Sequence, residues 1–268
     1  MSSVNAYKLV SEMKYSEQIF KIPQESNDYQ EASEYAITSI GTIIENAIIK
    51  GENKIIINTN LKLGLPMENI NKIAGPFVEA WAYETFANIV EDTKNEWCLV
   101  NAEALERLNR ADVLLQFKRS QPQNTIITAE IDVKATAEDL ESSGKSPNIT
   151  SYARIRSAYV EDPDYLFVIL SLKHKVYSHR NPETKLMDGI MEVVKHNAYD
   201  MKYISDSDII YNPALGTGQI QIKDIHYISI KKRTAWEFCQ MLDKKYLSST
   251  KRSFDSWFEL ANRYGWIK

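Results

Sequence analysis

The chain has 268 residues, of which 44% are hydrophobic and 25% charged, with a formal net charge of −4. That is enough apolar material for a sizeable core, and the acidic balance excludes a protein that coats nucleic acid through bulk positive charge. No apolar run approaches the ~20 residues that span a bilayer, and Met1–Lys8 lacks the basic-then-apolar pattern of a signal peptide, so a soluble, cytoplasmic protein is expected.

From Tyr29 to Lys50, the residues Ala32, Tyr35, Ala36, Ile40, Ile43, Ile44, Ala47 and Ile48 recur at helical spacing, which predicts an amphipathic helix stopped by Gly51. A short strand-like piece follows at Lys54–Asn58, and residues 1–70 together read as a helical N-terminal region. A second helix is predicted to start at Pro76, a favoured first-turn residue, and to run through Phe77, Trp81, Tyr83, Phe86 and Ile89. Glu79 cannot share the Trp81 face, so it lies either at the edge of the packed face or in solvent.

Strands are predicted at Trp97–Val100, Ala111–Phe117 and Asn124–Ala135, an antiparallel meander whose second link is a polar hairpin over Lys118–Asn124. Pro147-Asn148 opens a helix predicted from about Thr150 to Tyr159, with Asn148 as a candidate cap. The wholly apolar run Tyr165–Leu172 reads as a central buried strand. The 180s to 210s are less regular, broken at Asn181-Pro182, Asp188-Gly189 and Asn212-Pro213. Gly216-Thr217-Gly218-Gln219 then precedes an alternating strand through Ile220, Ile222, Ile225, Tyr227 and Ile228. This GxG lacks the third glycine of a dinucleotide site. It is either a plain tight turn or a loop that sets amide groups against base edges. Helices at Ala235–Ser248 and Phe254–Tyr264 make residues 231–268 a helical C-terminal subregion.

The chemistry concentrates in Glu130-Ile131-Asp132-Val133-Lys134. An acid-x-Lys tripeptide occurs seven times in the chain, so the pattern alone means little. Only Asp132 lies inside a β-branched apolar run, Ile126–Val133, where a strand sends Asp132 and Lys134 to one face. A carboxylate flanked by Ile and Val loses hydration unless a cation compensates it. If Asp112 sits on a neighbouring strand, two carboxylates can hold a hard cation while the lysine stands beside an attacking water. The competing reading is a half-exposed strand whose Glu, Asp and Lys are simply solvated.

Cys98 and Cys239 show no zinc spacing and read as buried free thiols, and the four histidines form no metal-binding pair. Basic residues gather at Lys118-Arg119, Arg154 with Arg156, Lys173-His174-Lys175, His179-Arg180, Lys231-Lys232-Arg233 and Lys251-Arg252, mostly after the acidic strands. That distribution suits a DNA-facing side, although each cluster alone reads as a solvated surface.

In order along the chain, Ala111-Asp112-Val113-Leu114-Leu115, Ile131-Asp132-Val133-Lys134-Ala135, Pro147-Asn148-Ile149 and Ser151-Tyr152 resemble the PD-(D/E)xK restriction endonucleases, most closely the blunt-cutting group of EcoRV and HincII. Upstream, Ala74-Gly75-Pro76-Phe77-Val78-Glu79 is similar to that group's helix start, whose glutamate faces the active site. Downstream, Ala214–Ile220 resembles the recognition loop of EcoRV-type enzymes. The likeness covers residues 74 to 230. It departs in having Ala111 where the superfamily has proline, in a 20-residue step from Asp112 to Asp132, and in Glu130, which has no counterpart.

The resemblance implies an α/β fold, a restriction-endonuclease-like mixed β-sheet flanked by helices, with residues 1–268 forming one catalytic and DNA-binding domain. It implies a type II restriction enzyme that hydrolyses double-stranded DNA with Mg²⁺. Asp112 and Asp132 would be the metal ligands, with the Val133 carbonyl as a third. Lys134 would align water, and Glu79 would stand near the site. Asn148, Tyr152, Gly216, Thr217, Gly218 and Gln219 would contact DNA. Cutting both strands of a palindromic site implies a twofold homodimer, and a cognate DNA methyltransferase would protect the host. The alternatives are a superfamily nuclease acting in repair or on DNA structure, and an inert DNA-binding protein of the same fold.

Overall fold

Alternating and β-branched stretches supply nine strands and amphipathic ones seven helices among the described residues, which in this computed structural model are 3–106, 109–119 and 125–268. In chain order they are α1 (Ser3–Ser16), α2 (Tyr29–Ile49), β1 (Lys54–Ile57), α3 (Met67–Lys72), α4 (Ala74–Glu91), β2 (Leu99–Ala104), β3 (Val113–Lys118), β4 (Ile126–Ala137), β5 (Asn148–Ser151), α5 (Tyr152–Glu161), β6 (Leu166–Arg180), β7 (Met187–Asp200), β8 (Ile209–Asn212), β9 (Gln219–Ile222), α6 (Ala235–Leu247) and α7 (Phe254–Arg263). They sort into two compact units built from interleaved segments: residues 30–145 with 166–201, and residues 1–29, 146–165 and 202–268.

The first unit is a six-stranded mixed sheet in the order β1-β7-β6-β4-β3-β2. Every pairing is antiparallel except that of β4 with β6, where Asp132 lies beside Ile169. Helix α2 buries Ala36, Ile40, Ile43, Ile44 and Ala47 as its spacing requires, and Gly51 ends it at a positive φ of 77°. On the α2 side, Tyr35 meets Phe117 of β3 edge-on. Helix α4 packs against β2 and β4 through its Val78, Ala82 and Phe86 side of the helix.

Three expectations need correction in this unit. Helix α4 begins at Ala74, so Pro76 falls inside its first turn rather than opening it. Strand β2 starts at Leu99 because Cys98 takes a left-handed φ of 51°, which no strand accommodates. The apparently irregular 180s and 190s are β7, paired with β6 from Val168↔Asp200 to Arg180↔Met187. Asp188-Gly189 is not a break: a Cβ at Gly189 would stand 2.8 Å from Ile70 Cδ1, so the glycine makes room for α3. The polar hairpin expected at Lys118–Asn124 falls, beyond Arg119, outside the described residues.

The second unit holds a three-stranded sheet, β5-β9-β8, with α1, α5, α6 and α7. The helix expected from Thr150 starts at Tyr152, because Asn148, Thr150 and Ser151 are taken up in pairing with Gln221, Ile220 and Gln219. Asn148 is therefore a strand residue and not a helix cap. The strand expected to continue to Ile228 ends at Ile222. Helix α6 is started by a capping box between Thr234 and Glu237.

This unit is centred on a buried ion pair. Arg156 and Asp243 are both fully buried, with the guanidinium Nε donating to the carboxylate at 3.1 and 3.2 Å. Tyr15 and Tyr152 also donate to Asp243, at 2.8 and 2.5 Å, and the guanidinium lies over the rings of Trp266 and Trp236. Removing one member leaves the other charge in a dry interior. Asp243→Ala is expected to destabilise the protein by about 3–5 kcal/mol, read as a lower urea midpoint by tryptophan fluorescence. An unchanged midpoint would show the pair to be dispensable.

Candidate active site

The antiparallel ladder of β3 and β4 ends with Val113 paired to Ile131, and Asp112 and Asp132 are the residues next to that last pair on their two strands. The Asp112 N–H donates to the Ile131 carbonyl at 2.9 Å, one residue off that register. Strand alternation sends Val113, Leu115, Phe117, Ile131 and Val133 to one buried face. Asp112, Asp132 and Lys134 consequently share the other.

Each acid is held differently. Asp112 Oδ2 accepts the Val133 N–H at 2.7 Å, which fixes its carboxylate against the β4 backbone. Asp132 is only 4% exposed, and its Oδ1 accepts from Lys134 Nζ at 2.8 Å. Its Oδ2 is buried and has no hydrogen-bond partner among the described residues. Burial pushes the Asp132 carboxyl up to about 7, against the opposing pull of Lys134 and with added repulsion from Asp112 and Glu79. Glu79, half-buried on α4, is also raised, first by desolvation and then by Asp112, while Lys134 opposes the rise. Helix α4 thus brings its acid to the face that the other three occupy. The Glu79 carboxylate reaches back over Gly75, 3.8 Å from where a Cβ there would stand.

A buried carboxylate oxygen without a donor is a costly arrangement that invites a cation. The donor set is oxygen only, which suits a hard divalent ion over zinc or copper. Among the described residues no group of three or more His, Cys, Asp or Glu side chains converges as a metal cage. Asp112 and Asp132 are two carboxylates on one face, and a metal held there would need further oxygen ligands.

The candidate DNA contacts all lie in the other unit. Asn148 is exposed on β5, and its Oδ1 accepts from Gln221 Nε2 at 2.8 Å. Gly216 is exposed, Thr217 Oγ1 accepts the Ala153 N–H at 3.3 Å, and Gly218 packs directly on Tyr211. Gln219 begins β9 between Ser151 and Asn212. Tyr152 is a correction: its ring is fully buried, stacked on Tyr246 at 4.7 Å with the hydroxyl on Asp243, so its side chain belongs to the core and presents no surface to DNA. Only its backbone serves the loop, the N–H donating to the Gly218 carbonyl at 3.0 Å.

Burial also sorts the basic clusters. Arg156, His174 and Arg233 are buried, and Arg119 is paired with Glu31. Cys98 and Cys239 are free thiols, Cys239 buried and Cys98 half-buried. Tyr211, which the sequence does not mark, and Arg252, which it marks only as half of a basic pair, bind the Gly216–Gly218 turn through backbone carbonyls. A bond to a carbonyl leaves no signature in side-chain pattern, so no sign of this role shows in the sequence.

Comparison with known proteins gives the family. A family described as Type II restriction endonuclease HpaI matches residues 16–265. The Type II restriction enzyme HpaI of Haemophilus parainfluenzae is 57% identical over 256 residues, covering 96% of this chain and 100% of the relative. The solved structure of the NlaIV restriction endonuclease aligns over 85% of this chain and 90% of its own, at 11% identity and a TM-score of 0.46. No helix among the described residues is long and apolar enough to cross a membrane. A family match over nearly the whole chain and a relative of this identity establish that the protein belongs to the HpaI family of type II restriction endonucleases, which are site-specific deoxyribonucleases.

Proposed function

We propose that this restriction enzyme cleaves both strands of a palindromic site in double-stranded DNA with Mg²⁺, using Asp112, Asp132 and Lys134 as a PD-(D/E)xK centre of the EcoRV and HincII type. The observation that carries the proposal is the buried Asp132 oxygen without a donor, on a carboxylate that shares a sheet face with Asp112 and is ion-paired to Lys134. Asp112 and Asp132 would hold the ion, with the Val133 carbonyl as a further oxygen. When bound, a divalent ion polarises the phosphate and makes a coordinated water more acidic.

The chain's own residues do the rest. The Val133 N–H keeps Asp112 aimed by occupying one of its oxygens. Lys134, with its side chain 24% exposed, sits at the mouth of the buried pair and can turn its ammonium towards an entering phosphate. There it orients the attacking water and balances the charge that develops on the phosphoryl oxygens. Glu79 adds negative charge beside Asp112, which strengthens the field holding a cation.

In the other unit, Asn148 and the Gly216–Gln219 turn would read base edges in the groove. A twofold homodimer supplies one centre per strand. The two units would then be the working halves of one catalytic and DNA-binding domain, acting in the cytoplasm beside a cognate methyltransferase.

Three experiments test the assignment. Asp132→Ala is expected to abolish cleavage while specific binding in Ca²⁺ stays measurable by gel shift; cutting at the wild-type rate would remove Asp132 from the centre. Lys134→Met is expected to slow single-turnover cleavage by about 10²–10³-fold, and a wild-type rate would exclude a role for the ammonium in the chemical step.

The third concerns pH. Without metal, the folded-state Asp132 carboxyl is raised to about 7, above the ~3.9 of an unfolded chain. The native state therefore binds the extra proton between those values. This contribution to stability is fully present below about pH 4 and is lost as pH rises through about 7. In EDTA, the wild type should lose more stability from pH 4.5 to pH 8 than Asp132→Asn, by a few kcal/mol at ~1.4 per pKa unit. Parallel urea midpoints for the two proteins would contradict the buried, proton-binding state of Asp132.

A further inference from the structure

Strands β8 and β9 pair from Ile209↔Ile222 to Asn212↔Gln219, which leaves the six residues Pro213–Gly218 to close the hairpin. Two-residue turns define their own shape, but a six-residue loop does not. Leu215, Gly216 and Gly218 all have positive φ, at 65°, 53° and 92°. A non-glycine residue in that region is held there by its surroundings. Leu215 is also 76% exposed, so its own packing does not hold it.

The restraint comes from one arginine. In the segment between α6 and α7, Arg252 donates from Nε to the Tyr211 hydroxyl at 2.7 Å, and one terminal nitrogen donates to the Pro213 carbonyl at 2.9 Å and the Gly216 carbonyl at 2.7 Å. Tyr211 passes the restraint on, its hydroxyl donating to the Thr217 carbonyl at 2.9 Å. Gly218 completes the fit, because any Cβ there would overlap the Tyr211 ring and hydroxyl. The guanidinium also lies over the Tyr246 ring at 5.4 Å. Three loop carbonyls, those of Pro213, Gly216 and Thr217, are thereby turned onto one planar fork and one phenol.

We propose that Arg252, acting with Tyr211, is the positioning residue that sets the Pro213–Gly218 turn in its base-reading shape and thereby determines sequence discrimination. This rests on the reading of that turn as a contact to DNA bases. It differs from what the sequence offers for Lys251-Arg252, a solvated basic pair or a phosphate contact. Arginine is required because a single ammonium cannot reproduce the fork that reaches three oxygens in fixed directions. Burial raises the Tyr211 hydroxyl to about 12, so it remains a donor throughout the working pH range.

The test compares Arg252→Met, Arg252→Lys and Tyr211→Phe with wild type, each checked for an intact thermal transition. Dissociation constants are measured in Ca²⁺ for a duplex carrying the cleaved site and for duplexes changed at one base pair, over a range of salt. The expected result is a loss of discrimination of about ten- to a hundredfold for Arg252→Met, a smaller loss for Tyr211→Phe, and incomplete rescue by Arg252→Lys. Should Arg252→Met fail to fold, Tyr211→Phe decides, since it removes only the hydroxyl.

Two outcomes overturn the proposal. The first is unchanged discrimination in the Arg252 and Tyr211 variants. The second is an equal weakening on every duplex with a shallower salt dependence, the mark of a phosphate contact. Leu215→Ala and Gln219→Ala, which leave the clamp's backbone acceptors intact, separate this failure from that of the underlying reading. If they lower discrimination while the clamp variants do not, the turn still reads bases and Arg252 does not position it. If no variant alters discrimination, the turn is not the reader and the inference falls with it.

Discussion

The site depends on one register. Pairing Val113 with Ile131 brings Asp112 and Asp132 next to the last pair of the ladder and sets both acids and Lys134 on a single face of the sheet. A slip of one residue would send the whole set to the face occupied by α2 and expose its apolar partners instead. The register is secured by the apolar side: Val113, Leu115, Phe117, Ile131 and Val133 are each at most 1% exposed. The hydrophobic pattern of two strands thus decides where the charges go, and the charges add little to the decision themselves.

The protein buries carboxylates in two contrasting ways. Asp243 accepts from Tyr15, Tyr152 and Arg156, so both of its oxygens are satisfied, and it serves the core. Among the described residues, Asp132 accepts from Lys134, and its second oxygen has no donor. Burial is comparable, so the difference lies in hydrogen-bond supply. The first arrangement is complete as folded, whereas the second leaves coordinating capacity that the chain does not consume.

Much of this was legible before any coordinates. Apolar, β-branched runs located β3, β4 and the core of β6, helical spacing located α2, and the apolar context of Asp132 distinguished it from six other acid-x-Lys tripeptides. For Glu79 the residues left the edge of the packed face and solvent both open, and only the family resemblance of the helix start implied that it faces the strand acids. Strand β7 was not, because it mixes half-exposed polar positions with a glycine that reads as a turn until Ile70 is seen against it. Asn148 read as a cap because Pro147 suits a helix entry, but long-range pairing with Gln221 overrode the local preference. Tyr152 lay beside a plausible DNA-facing segment, and only the tertiary fold reveals its ring among Tyr246, Trp266 and Asp243.

The interleaving of the two units has a consequence for how the protein can change. One unit draws on residues 1–29, 146–165 and 202–268, while the other is threaded between them. No single cut in the chain detaches the hairpin-bearing unit from the sheet that carries the acids. Recombination at one junction, which exchanges modules in proteins built from consecutive domains, would leave both halves here incomplete. A single crossover therefore cannot exchange one unit whole, and the two are inherited together.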